Sequence, residues 1–218
     1  MKVRPIQNFE TKTWLLNRHY AKRMPSISYA FGLFDDGNLV GVCTYGVPPS
    51  PTLCEGLCGV EHKEKVLELN RLVIDSNKKN CASILVSNSL KLLPKPSIVV
   101  SYADTKQGHV GYVYQATNFL YTGITKKRME WAIEGMEHLH SKTLSATFKS
   151  LNDIKKKFGD KFYHRERSQK HRYVIFTGSK NQKKFLTKLL RYETSNYPKG
   201  ESKKYDASGH VEKQGVLF

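Results

Sequence analysis

The chain has 218 residues, 39% hydrophobic and 25% charged, a globular composition with length for one sizeable core and not for two full domains. Its formal net charge of +17 exceeds what solubility requires and points to a polyanionic partner, with a merely solvated basic surface as the alternative. No run approaches the roughly 18 apolar residues of a membrane span, and the opening MKVRPIQNFETK has no apolar signal core, so no membrane partner and a cytoplasmic location are expected.

The charge is uneven. Residues 1–123 hold 14 Lys+Arg against 9 Asp+Glu, and residues 124–218 hold 22 against 10, as expected if one part performs chemistry and another grips phosphates. In chain order, Asn8 to Tyr20 place Phe9, Trp14, Leu15 and Leu16 at helical spacing behind Asn8 as a cap. SYAFGLFDDGNLVGVCTYG reads as two strands joined at Asp35-Asp36-Gly37-Asn38, a hairpin signal. PPSPTLCEGLCG reads as a loop. Within it Cys54 and Cys58, with His62 beyond, supply three metal-ligand types, or else reduced thiols; two glycines argue against a regular helix.

Val66 to Ile74, VLELNRLVI, reads as a strand with Leu67, Leu69, Arg71 and Val73 on one face and Glu68, Asn70 and Leu72 on the other, so Glu68 and Arg71 should emerge on opposite faces. Asn80 or Ser83 can cap a helix that runs to about Leu93 and stops at Pro94 and Pro96. SIVVSY, Ser97 to Tyr102, is a short apolar strand; HVGYVYQATNF follows as a helix after a polar turn, then a strand at Leu120 to Gly123. Residues 124–170 read as mainly helical and basic, with Ser150 and Asp153 starting the helix SLNDIKKKFG. RYVIFT, Arg172 to Thr177, is the last strand, and beyond about Tyr192 the chain turns polar and is expected to be mobile. Alternation of this kind implies an α/β sheet with helices packed on it.

Asp104, just past the end of an apolar strand, stands where α/β sheets present functional groups, and is a candidate base or substrate-reading group; the alternative is a turn aspartate that caps the next segment. Arg71 sits on an apolar face and needs a partner, either a bound anion or carbonyl or a structural ion pair. Glu68 is the second carboxylate of that strand. His19 and His109 are candidate bases or metal ligands, or plain hydrogen-bonded residues. Ser87 and Ser89 read as helix-packing hydroxyls. Lys155, Lys156 and Lys157, with Lys170 and Arg172, are candidate phosphate contacts.

RLVIDSNKKNCASILVSNSLKLL, then a strand, then YQATNFLYTG, resembles the GNAT acyltransferase superfamily. Within it, RHYAKRMP, YAFGLFDDGNLVGVCTYG, ELNRLVI, SYAD, GHVGYVYQATNFLYTG and KHRYV are similar to the phage Mom DNA-modification proteins. The resemblance implies a GNAT-like mixed, mostly antiparallel central sheet flanked by helices, a basic helical insertion in the C-terminal third, one catalytic domain over 1–178 and a basic extension over 179–218. It also implies a viral enzyme, acting in the host cytoplasm on double-stranded DNA, that converts adenine to a carbamoylmethyl form which restriction nucleases no longer cut.

Where GNAT enzymes use glycines to approach a pyrophosphate, this chain has Ser76 to Ser83, leaving Lys78, Lys79, Asn80 and Ser83 as the candidates for coenzyme A. Tyr114 occupies the position that protonates the leaving group in such enzymes; the alternative is a core aromatic, since Val110 and Val113 flank it at helical spacing. The exocyclic amine of adenine is a poor nucleophile, so a base is needed. A stacked base must also be extruded into an aromatic pocket, which Tyr29, Phe31, Tyr45, Tyr112 and His109 could help to form. The carbamoylmethyl group is joined through CH2, which acetyl transfer cannot make; a glycyl amide is its isomer. Acyl-coenzyme A and an activated glycine, with tRNA as one carrier and second nucleic-acid partner, are thus the donors to weigh. The competing functions are a GNAT acyltransferase acting on a protein, small amine or aminoacyl-tRNA, and a non-catalytic basic DNA-binding protein.

Overall fold

Asp36 and Gly37 both lie in the left-handed region, with φ of 48° and 82°, as a two-residue hairpin turn requires. They join β2 (Tyr29–Asp35) to β3 (Asn38–Gly46), the hairpin expected from the sequence. The computed structural model describes residues 1–76, 78–137, 144, 148 and 150–200. Its main sheet adds β1 (Lys2–Pro5), β4 (Val66–Ile74), β5 (Ile98–Asp104), β6 (Leu120–Ile124) and β9 (Lys170–Phe176) in the order β1-β2-β3-β4-β5-β9-β6. Every neighbouring pair is antiparallel except β4 and β5, which run parallel. The mixed, mostly antiparallel sheet with flanking helices is therefore present.

Helices cover both faces. On one, α2 (Cys81–Leu92) brings Cys81, Leu85, Val86 and Leu90 onto Leu33, Cys43, Tyr45, Leu67, Leu69 and Val99. On the other, α1 (Pro51–Cys58) and α5 (Lys180–Leu189) bury Cys54, Leu57, Cys58 and Leu186 against Val66, Ile98, Val100, Val174 and Phe176. Each large apolar side chain so buried is worth about 1.5–3 kcal/mol, which is why the sheet strands read as nearly continuous apolar runs rather than as alternating ones.

Several expectations are corrected. PPSPTLCEGLCG is no loop: Ser50 caps α1, accepting from the Leu53 N–H at 3.3 Å, and Pro51 takes the first turn, where no N–H is needed. Gly56 is tolerated because Cys54, Leu57 and Cys58 supply the packing. Asn8 to Tyr20 is not one regular helix but a 3-10 turn at Asn8–Thr11 and a π-type turn at Trp14–Arg18. The helix expected across HVGYVYQATNF is only α3 (Tyr112–Ala116), preceded by Gly111 at φ 78°. Asn80 holds the cap position of α2 in a left-handed conformation, with no side-chain capping bond.

The stretch 124–170 is not mainly helical. β7 (Arg128–Ile133) and β8 (Phe162–Arg167) form a separate antiparallel hairpin, and α4 (Leu151–Phe158) packs Ile154 with Ile133 and Leu144 in a small core of its own, edged by Trp131, Phe158 and Phe162. RMEWAI and FYHRER carry their apolar residues at one end of each strand, so dense charge hides the strand pattern. β9 follows this excursion and inserts between β5 and β6, starting two residues earlier than expected.

The chain on both sides of Tyr192 docks as well. The Arg191 N–H donates to the Leu57 carbonyl (2.9 Å), the Ser195 N–H to that of Tyr121 (3.0 Å), and the Tyr197 hydroxyl to that of Phe119 (2.8 Å). The rest of the segment expected to be mobile, 201–218, lies outside the described residues.

Candidate active site

The parallel pair β4 and β5 is in register only over Val66–Leu69 with Ile98–Ser101. Beyond that, β4 stays with β3 as far as Ile74, and β5 stays with β9 as far as Asp104. The two strands therefore part company toward their C-terminal ends, and groups there face a cleft rather than a neighbouring strand.

A β-bulge arms one wall of that cleft. Thr44 is opposite Arg71, but Tyr45 is opposite Leu69, so Asn70 is an extra residue in β4. Its side chain accepts from the Thr44 hydroxyl (2.6 Å) and donates to the Ser26 carbonyl (2.9 Å). The bulge reverses the expected alternation: Leu67 and Leu69 share the α2-side core with Leu72 and Ile74, while Val73 packs with Val42 and Trp14 on the opposite face. Arg71 and Glu68 thus lie on the same face, contrary to the expectation from simple alternation.

The Arg71 guanidinium donates to the Asn70 carbonyl (2.6 Å) and the Arg23 carbonyl (3.4 Å), and its Nε is a buried donor without a hydrogen-bond partner. Burial, then the nearby Arg23, lower its pKa, while Tyr20 and Glu68 oppose them. The crossing segment 19–28 that meets Arg71 is held close: a Cβ on Gly46 would come within 2.0 Å of the Ser26 carbonyl oxygen.

His19 is 8% exposed, and burial, with Arg71 and His109 adding to it, pushes its pKa down to about 4. The Ala21 N–H donates to its Nδ1 (3.0 Å), so the neutral ring carries its proton on Nε2 and presents a donor there rather than a base. Because the folded pKa is depressed below the unfolded value, only the unfolded state gains a proton between pH 6.5 and 4. Stability should fall across that window by on the order of 2–3 kcal/mol. His19→Asn, whose Oδ1 can accept from Ala21, should flatten the dependence; urea midpoints at pH 7 and pH 5 will show whether it does.

Tyr20 stacks on His19 with centroids 4.4 Å apart and meets His109 edge-on at 6.1 Å, so three rings reach from the crossing segment to the loop after β5. Asp104 ends β5. Its carboxylate accepts from the Lys106 N–H (3.0 Å) and stands 3.8 Å from the Lys170 ammonium. The capping reading of Asp104 holds: its side chain caps the following 3-10 turn, at the end of β5 beyond the part paired with β4. Burial lowers the pKa of Lys170 and Asp104 opposes that. Glu68 acts electrostatically on Arg71, Tyr102 and Lys170 from the cleft floor.

Tyr114 is 8% exposed and packs on Phe119 and Tyr173, the core aromatic of the alternative reading. Its hydroxyl is nevertheless directed toward Ser101 at the last paired position of β5, and burial pushes its pKa up to about 12, which keeps it a proton donor at neutral pH.

Other candidates fall elsewhere. Tyr45 and Phe31 are 0% and 2% exposed in the α2-side core, and the Tyr45 hydroxyl bonds the Ser89 hydroxyl at 2.7 Å, so neither presents a face to a base. Tyr29 lines a hollow of about 490 Å³ with Ile6, Phe9 and Leu92 at the β1–β2 side, away from the cleft. Tyr112 is exposed beside the docked 190s segment.

Ser87 bonds within α2. Lys155, Lys156 and Lys157 are exposed on α4, two of them over Phe162, Phe148 and Phe158 rings. Arg172 stacks on Tyr192 (3.5 Å) and donates to Thr122, facing the α1 side.

Cys54, Cys58 and His62 do not converge. The thiols point into the α1–α5 core, where burial lifts Cys58 to about 11, while His62 lies by Lys65 and Phe185. Among the described residues no group of three or more His, Cys, Asp or Glu could hold a metal. At the turn before α2, Lys78 pairs with Asp35, the Ser83 hydroxyl donates back to Asn80, and Asn80 is left-handed. Lys79 is exposed. These features do not fit a helix N-terminus that receives a pyrophosphate.

Sequence reasoning missed Tyr20, Lys106 and Arg167 as cleft neighbours. Tyr20 stood inside RHYAKRMP beside His19, but only the crossing path of residues 19–28 brings it to the site.

The profile of the Mom protein family matches residues 1–199. The chain is 28% identical over 214 residues to the methylcarbamoylase mom of Escherichia phage Mu, covering 91% of this chain and 84% of that protein. Solved structures it is similar to include a probable acetyltransferase from Staphylococcus epidermidis ATCC 12228 (11% identity, 81% of this chain and 99% of that one, TM-score 0.47). Another is an N-acetyltransferase from Staphylococcus aureus Mu50 (12% identity, 80% and 97%, TM-score 0.43). A family profile matched along nearly the whole described chain makes this protein a member of the Mom protein family.

Proposed function

We propose that this protein modifies phage DNA by converting adenine to N6-carbamoylmethyladenine, which shields that DNA from host restriction nucleases. The observation that carries the proposal is a buried Arg71 guanidinium with an unpartnered Nε on β4 beyond its pairing with β5, together with the Asp104 carboxylate at the parted end of β5. An amine nucleophile needs a proton acceptor, and an acyl donor needs a hydrogen-bond donor at its carbonyl oxygen. The net charge of +17 suits a polyanionic substrate, and the half-exposed Tyr20 gives an extruded base a ring to stack on.

In this mechanism the donor is an activated glycine. The adenine N6 attacks its carbonyl carbon, and Asp104 takes the proton that N6 loses. Arg71 Nε–H and His19 Nε2–H stabilise the carbonyl oxygen as it gains charge. The bond from carbonyl carbon to carrier breaks, and Tyr114 gives the departing atom its proton. The glycyl amide is an isomer of the product: attack of its free amine on C6, with migration of the amide nitrogen, converts one into the other without oxidant or further reagent.

The test is expression in bacteria fed isotopically labelled glycine, followed by digestion of plasmid DNA to nucleosides and mass spectrometry. Adenines heavier by C2H3NO and carrying the label are expected. An unmodified pool with soluble protein present would refute the function; a modified but unlabelled pool would refute the donor alone.

A further inference from the structure

Beside Asp104 lies a second hollow, of about 330 Å³, between the 3-10 turn after β5 and the turn that joins β8 to β9. Its wall carries Lys106, Lys127 and Arg167 against one carboxylate, Glu166, which Lys127 already contacts at 3.0 Å. Lys170, next in the chain to Gln169 of the wall, is within electrostatic range of Arg167 and paired with Asp104.

This wall is built rather than an accident of flexible side chains. The Thr105 N–H and hydroxyl both donate to the Gln169 carbonyl (3.2 and 2.7 Å), the Gln169 side chain donates to the Thr125 carbonyl (2.7 Å), and the Lys170 N–H donates to the Thr125 hydroxyl (2.9 Å). Three segments, 104–107, 125–127 and 166–170, are thereby fixed to one another, and each contributes a cation.

We propose that this hollow seats a backbone phosphate adjoining the target nucleotide, with Lys106, Lys127 and Arg167 as its cationic wall. The Lys106 N–H holds the Asp104 carboxylate while Lys106 also lines the hollow, so a phosphate there registers the strand against Asp104. Phosphate contacts position a nucleic acid without reading its sequence, and a fixed contact close to the chemistry gives the extruded base a defined reach. A phosphate entering the hollow also competes with Glu166 for Lys127.

Because the proposal rests on the nucleic-acid reading above, the test measures two things: binding of a short adenine-containing duplex across a salt series, and adenine modification in cells. The proteins are wild type, Lys106→Gln, Arg167→Gln, Glu166→Gln and, as a charge-matched control, Lys2→Gln on β1 at the far edge of the sheet. Lys106→Gln and Arg167→Gln should each weaken binding by roughly threefold to tenfold and lower the salt slope by about one. Glu166→Gln should tighten binding, and Lys2→Gln should leave the slope within error of wild type.

Cleft-side variants no weaker than Lys2→Gln, or weaker modification with an unchanged slope, would overturn the phosphate seat while leaving the modification activity standing. A wild-type protein that neither binds duplex nor modifies adenine would overturn both.

Discussion

Asp104→Asn should reduce the modified adenine fraction by at least about 100-fold, the usual scale for loss of a general base, with duplex affinity unchanged or slightly raised. Asn is the informative substitution because its side-chain oxygen still accepts from the Lys106 N–H, so the turn after β5 keeps its cap. What disappears is the acceptor for the N6 proton and the charge facing Lys170 at 3.8 Å. Nucleoside mass spectrometry on plasmid DNA, beside a binding titration of the purified variant, separates chemistry from grip. Full product from Asp104→Asn would reduce the residue to its capping role and leave the cleft without its proton acceptor.

Tyr45→Ala should destabilise the protein by about 3–5 kcal/mol, the range for emptying a buried aromatic site. The ring is fully enclosed with Phe31 edge-on at 5.8 Å, and its hydroxyl closes a bond to Ser89 on α2. Tyr45→Phe keeps the ring and should cost about 1 kcal/mol, since the Ser89 hydroxyl retains the Val86 carbonyl. Denaturant unfolding gives both values. A base-stacking role predicts the reverse pattern, with stability retained and duplex affinity lost in the alanine variant.

That contrast shows why parts of the site could be read from the sequence and parts could not. Asp104 and Arg71 are charges at the end of one apolar run and inside another, and burying a charge without a partner is costly enough that their positions single them out as candidates. The hairpin at Asp36-Gly37 and the strand VLELNRLVI were legible because turn chemistry and residue type are local properties. Whether an aromatic faces solvent or a core is decided by what packs above it, so Tyr45, fully enclosed under α2, looked the same as its cross-strand partner Tyr29, which is only half-buried at the edge of the same core.

The same limit hid α1, whose Pro and Gly content mimics a loop until Ser50 and Pro51 are recognised as its start. It also hid the β7–β8 hairpin, where charge density masked the strands. The faces of Glu68 and Arg71 were misassigned because a bulge is a property of two strands and not of one.

Asn70 makes β4 odd by one residue, and the site depends on that count. Were Asn70 drawn into the ladder at the same strand length, the guanidinium would turn into the apolar layer beneath α2, while Leu72 and Ile74 would turn out toward the opposite face. Substitutions at many positions along β4 leave the bulge intact, whereas taking Asn70 into regular pairing inverts every face beyond it. The register that sets Leu69 opposite Tyr45 and Arg71 opposite Thr44, more than the residue inside the bulge, is therefore what keeps the guanidinium on the cleft side.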